Sequence, residues 1–305
     1  MWLLLAFVSA TLLGCYDSFK KHALKSNAVI PVLFLNTLFS SLVFLPFIIL
    51  SAHTSCLDGT VFHVAEGGWA VHRYVVLKAL IVLSSWVLGY FGMKHLPLTI
   101  VGPINATRPV MVLVGALLVF SERLNVWQWV GVLLAVLSFL LLSRSGKKEG
   151  IDFKHDHWIY MIVGAAALGA VSGLYDKYLM APVGQGGVGL DRMLVQSWYN
   201  IYQCGMMLVM LLLLWWPHHQ RTTPFHWSWS IVGVSLFLSA ADFMYFYSLS
   251  LPDAMISIVS MVRRGSVVVS FLFGAWLFRE RNLKAKAFDL ALVLLGMLFL
   301  YIGSR

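Results

Sequence analysis

The chain has 305 residues, of which 60% are hydrophobic and only 11% charged, with a mean hydropathy of +0.82; that leaves too little polar surface to clothe a soluble globule. An all-α polytopic membrane protein follows, because lipid offers no water to unpaired backbone groups and apolar runs of about 20 residues recur from end to end. The formal net charge of +9 would suggest nucleic acid in a soluble chain, but the basic residues mostly flank apolar spans, so no nucleic-acid partner is expected.

The N-terminal MWLLLAFVSATLLGCYDSFKK lacks the basic n-region of a cleaved signal and reads as the first span. Runs between polar breaks predict ten transmembrane helices, at approximately 2–19, 28–51, 73–93, 97–120, 125–143, 157–180, 193–216, 228–249, 254–278 and 285–303. The longest breaks follow span two and span five. The second, RSGKKEGIDFKHDHW, lies at the midpoint and divides the chain into 1–146, a central basic linker 147–156, and 157–305.

These halves can be laid on each other. Tyr16-Asp17 matches Tyr175-Asp176; Tyr90, Phe91, Leu96 and Pro97 match Tyr245, Phe246, Leu251 and Pro252; Arg108 falls on Arg263; Glu122-Arg123 matches Glu280-Arg281. Membrane helices resemble one another by chance, but charged residues are rare in them and they coincide too, which favours duplication. Five crossings per copy give the copies opposite orientations, so the expected architecture is two inverted five-helix repeats with a site near the midplane. Lys and Arg number thirteen in the breaks after odd spans and five after even ones and at the C-terminus, which places both termini outside the cytoplasm.

The E-R motifs, FSERLNVWQWVGVLLAVLSFLLL (120–142) and FRERNLKAKAFDLALVLLGMLFL (278–300), and the Tyr-Phe-x4-Leu-Pro segments resemble the drug/metabolite transporter superfamily, specifically its ten-helix EamA-type members. Span nine, with Arg263 and Arg264 in a Val- and Ser-rich run, is similar to the sugar-phosphate and nucleotide-sugar branch, in which such a basic pair binds anions; Arg108 stands near that branch's basic residue in helix four. Pro109 and the E-R motifs fit the bacterial exporters better. The resemblance implies a metabolite transporter in the bacterial inner (plasma) membrane, and for bacterial members commonly cytoplasmic termini, against the charge count.

A charge at membrane depth costs roughly 2.5–3.5 kcal/mol on insertion scales, so Arg108, Arg263 and Arg264 need a wet cavity, a partner or an anionic ligand. A guanidinium fork suits carboxylate or phosphate. The residues expected to bind substrate are Arg108, Arg263, Arg264, Tyr90 and Tyr245, with only one of the adjacent arginines facing the cavity because they point about 100° apart on a helix. Asp242 is the candidate for proton coupling or an arginine counter-ion. Asp17 and Asp176, with Lys20 and Lys177 close along the chain, are candidates for a gate or cap pair. Trp86, Trp198, Tyr199, Asn200 and Tyr247 read as packing or as cavity lining, Asp289 as a residue near the headgroups, and Gly169-x3-Gly173 as a helix-packing motif.

No GxSxG, Walker or HExxH pattern occurs, the histidines lack Cys or Glu at ligand spacing, and Cys15, Cys56 and Cys204 form neither disulfide framework nor metal spacing. No enzyme activity, cofactor or metal is expected. The expected partners are a small, anionic solute, a coupling proton or counter-substrate, and lipid, with a monomer or homodimer as the assembly. A general drug or amino-acid exporter with structural arginines, and a non-transporting lipid-carrier or scaffold protein, are the alternatives.

Overall fold

The computed structural model of the chain describes residues 2–108, 110–111, 125–147, 154–180, 183–220, 223–251, 259, 262–277 and 283–303, and among these it is helical with no strand. The described residues form ten α-helices: α1 (Trp2–Ala23), α2 (Val29–His53), α3 (Trp69–His95), α4 (Leu98–Ala106), α5 (Val126–Lys147), α6 (His157–Met180), α7 (Arg192–Met210), α8 (Trp229–Ser250), α9 (Ser266–Trp276) and α10 (Leu283–Gly303). Each overlaps one of the ten expected spans, and seven run one to four residues past an expected end. Seven, namely α1, α2, α3, α6, α8, α10 and α7 with its continuation to His218, contain a stretch long and apolar enough to cross a bilayer. The Glu122-Arg123 and Glu280-Arg281 pairs and Pro252 lie outside the described residues.

The chain pairs across its halves. α1 packs chiefly on α8, α3 on α6, α2 on α7, α4 on α9 and α5 on α10. Replacing every helix by the one five places away returns the same five pairs. The first two pairs are antiparallel: Ser248 Oγ donates to Trp2 O at 2.8 Å and Ser9 Oγ to Ala241 O at 2.6 Å across α1 and α8, while Ser85 Oγ donates to Ala165 O at 2.7 Å across α3 and α6. Glycines permit close approach of α1 to α9 and of α3 to α6. A Cβ on Gly14 would sit 2.9 Å from Ser266 O and one on Gly92 3.2 Å from Trp158 O, approaches that only the missing side chain allows.

Lipid reverses the usual placement of side chains. Leu4, Leu213 and Trp276 face outward, whereas Asn36, Ser40, Gln196, Asn200 and Gln203 of α2 and α7 are buried, because a polar side chain facing hydrocarbon would have neither water nor protein beside it.

The Leu-Pro dipeptides end helices. Leu96 (φ −103°, ψ 149°) and Leu251 (φ −78°, ψ 146°) are the extended C-caps of α3 and α8, as the residue before a proline prefers. Lys21 Nζ covers the carbonyls left open at the end of α3, donating to Met93 O at 2.7 Å and to Leu96 O, where the helix dipole also favours a cation. Two helices are interrupted deep in the bundle. α4 stops at Ala106 and turns at Thr107, whose Oγ1 donates to Ile104 O at 2.7 Å, so Arg108 follows directly on a turn. Residues 262–264 are helical but are separated from α9 by the turn at Gly265, whose amide donates to Val262 O at 2.9 Å.

Candidate functional site

These two interruptions deliver their arginines to one central cavity of about 160 Å³, room for roughly ten waters at about 15 Å³ each. All eight residues singled out in the sequence, Asp17, Tyr90, Arg108, Asp176, Asp242, Tyr245, Arg263 and Arg264, line it. Both adjacent arginines reach the cavity, contrary to the expectation that only one would. The break at Gly265 places the pair beside a wide void, so a 100° difference in direction still leaves both on its wall.

The charges are arranged in three sets. Toward the C-terminal ends of α1 and α3, Lys20 Nζ lies 3.4 Å from Asp17 and over the rings of Tyr16 and Tyr90 at 4.5 and 4.9 Å. Ser270 Oγ donates to Asp17 Oδ2 at 3.0 Å, and Asn36 Nδ2 donates to the Tyr90 hydroxyl at 3.1 Å. Toward the opposite end, Lys78 pairs with Asp176 and sits 5.0 Å over the Tyr199 ring. Between these sets, Arg263 pairs with Asp242 and lies 4.2 Å over the Tyr245 ring, and the Tyr199 hydroxyl donates to Asp242 Oδ2 at 2.8 Å. Asp242 is thus held from two helices.

Each cavity carboxylate therefore has its own cation. Arg108 and Arg264 are the remainder: the lining holds five basic side chains and three acids, and among the described residues neither arginine has an ion pair. Arg108 donates from Nη2 to Asn105 Oδ1 at 3.1 Å and keeps a buried Nε without a partner. Two guanidinium groups at membrane depth with no counter-charge are costly unless water or an anion occupies the space before them.

Several sequence expectations are corrected. Asp176 pairs with Lys78 of α3, from the other half of the chain. Lys78 escaped the sequence reading although a lysine inside LKALIVLSSW meets the same test as the arginines, an ionisable group in an apolar span. Asp289 is 2% exposed and does not face the headgroups; α10 turns it toward α5, where Ser138 Oγ donates to its carbonyl at 2.7 Å. Trp86 and Tyr199 line the cavity. Trp198 packs against the His72 ring at 4.7 Å, Tyr247 lies under Arg192 at 4.9 Å, and Asn200 donates to Gln196 O at 2.8 Å within α7. Gly169 and Gly173 face the cavity rather than a neighbouring helix backbone.

The fold and this charged centre define a multi-pass integral membrane protein. The family model of the EamA-like transporter family matches residues 1–144. A solved structure described only as "Crystal structure of protein" superposes with a TM-score of 0.66 at 13% identity, covering 100% of this chain and 98% of that one, a likeness of fold alone. No curated protein matches the sequence.

Proposed function

We propose that the chain is a secondary transporter, not an enzyme, that carries a small anionic metabolite across a bacterial plasma membrane by alternating access, using ten crossings arranged as two inverted five-helix repeats. The observation that carries this reading is the pair Arg108 and Arg264, one from each half, which line a polar cavity and among the described residues have no carboxylate in an ion pair. The exchange-invariant pairing of helices supports the inverted repeat, and the family match over residues 1–144 supports transport.

In this reading the substrate anion takes the place of the missing counter-charge, held by guanidinium forks that donate in pairs to carboxylate or phosphate oxygens. The excess of two cations favours an anion with two negative charges. Tyr90 and Tyr245 bound the site above and below. Arg263 and Tyr199 hold the Asp242 carboxyl, and a proton or the arriving anion that competes for this pair makes Asp242 the coupling group. Lys20–Asp17 and Lys78–Asp176, at opposite ends of the cavity, are the two gates.

Thermal unfolding of the detergent-purified protein against succinate, inorganic phosphate and acetate tests the site. A binder at a hundredfold excess over Kd stabilises by about 2.7 kcal/mol. The divalent anions are expected to raise Tm more than acetate, and Arg108→Ala and Arg264→Ala to abolish the rise and, in liposomes, uptake. Unchanged binding and uptake in both variants and in their combination would remove the anion site.

A further inference from the structure

A GxxxG pair on an apolar helix is ordinarily a contact for a second helix. At Gly169 and Gly173 of α6 the surroundings differ from those of the packing glycines. A Cβ added at Gly92 meets the Ile162 side chain at 2.5 Å and the Trp158 carbonyl at 3.2 Å, and one at Gly14 meets Val269 and the Ser266 carbonyl, all parts of an apposed helix. One added at Gly169 meets only the Arg108 guanidinium among its three nearest atoms, with Cζ at 2.7 Å, Nη1 at 2.8 Å and Nε at 3.0 Å. One added at Gly173 meets nothing within 4 Å, although Gly173 lines the cavity.

We infer that Gly169 is a positioning residue that seats Arg108, and that Gly173, one turn further along the same face, is the floor on which the acidic group of the substrate rests. This rests on the anion reading above. The Arg108 guanidinium lies flat on the α6 backbone where a methyl group would stand, and Asn105 Oδ1 holds its Nη2 from the other side. It is therefore clamped between α4 and α6, with Nε buried and unpartnered and Nε and Nη1 lying against Gly169. Residues four apart share a helix face, so an anion held by Arg108 extends over Gly173 toward Arg264. The missing side chain there is space for the ligand, and the ligand explains a glycine that no neighbour requires.

Two measurements on the full-length detergent-purified protein test this. Thermal unfolding without ligand is compared for wild type, Gly169→Ala, Arg108→Ala, the double variant, and Gly92→Ala alone and with Arg108→Ala. Alanine is a better helix former than glycine, so a lower Tm for Gly169→Ala reports the clash. That loss is expected to vanish in the Arg108→Ala background, a coupling that independent sites would not show, while Gly92→Ala lowers Tm in both backgrounds. A Gly169→Ala loss that persists without Arg108 makes Gly169 a packing residue and overturns its positioning role, as does the absence of any loss.

Calorimetric titration with succinate and inorganic phosphate reads the seat. Gly169→Ala is expected to weaken binding at least tenfold, matching Arg108→Ala, and Gly173→Ala to weaken it at least fivefold with Tm unchanged. Unaltered affinity in Gly173→Ala overturns the floor. Failure of both probes to bind wild type overturns the anion reading and the floor together, whereas the link between Gly169 and Arg108 is decided by the ligand-free unfolding data alone.

Discussion

Lys78 is 3% exposed and stands in the middle of an apolar helix with Asp176 as its ionic partner. Removing one member of a buried pair leaves an uncompensated charge, a loss of about 3–5 kcal/mol. Lys78→Ala is therefore expected to lower Tm by many degrees in detergent, and Asp176→Asn in that background to restore most of it. Equal Tm for Lys78→Ala and wild type would mean that Asp176 is not held as an anion. Residues of this kind show how far the site was legible. The rarity of ionisable groups in apolar spans picked out Asp17, Arg108, Asp176, Asp242, Arg263 and Arg264, because depth alone makes such a group conspicuous. It gave no information on pairing. The antiparallel contact of α3 and α6 brings Lys78 to Asp176, and a contact between residues 98 positions apart leaves no local trace.

Helices in lipid lack the hydrophobic drive toward each other that water supplies, so their association depends on close approach and polar contacts. Gly14 is where α1 meets the start of α9: a methyl there would lie 2.4 Å from Val269 Cβ and 2.9 Å from Ser266 O. Gly14→Ala is expected to push these helices apart and destabilise by roughly 1–3 kcal/mol, the usual cost of overpacking. It should also weaken anion binding, since Ser270 of α9 bonds Asp17 of α1 across the same contact. Because the nearest atom is the Val269 Cβ itself, Gly14→Ala should cost less stability in a Val269→Gly background than in wild type; an equal cost in both would place the strain elsewhere. At this scale the apolar runs located every helix, because a span must be long, apolar and bounded by charge. The interruptions at Thr107 and Gly265 were not foreseen. Neither a threonine nor a glycine forces a break in a membrane helix, and only the surrounding cavity makes the freed backbone tolerable.

For the whole molecule, the even number of predicted crossings puts both termini on one side of the membrane, and the loop between α2 and α3 on that same side. The excess of Lys and Arg in the breaks after odd spans argues that this side is not the cytoplasm, and Lys21 and Lys94 at the end of α3 belong to the basic face. The loop carries a native reporter: Cys56 is free and exposed, while Cys15 and Cys204 are only partly accessible within helices. A membrane-impermeant maleimide applied to intact cells is expected to label wild type and not Cys56→Ser. Labelling that appears only after permeabilisation would put both termini in the cytoplasm, in keeping with the habit of bacterial EamA-type members, and the charge asymmetry would then have failed as a guide. The outcome also orients the cavity. With the termini outside, the Lys78–Asp176 pair lies toward the exterior and the Lys20–Asp17 pair toward the cytoplasm, so under the proposed gating a substrate released outward passes the Lys78 pair last.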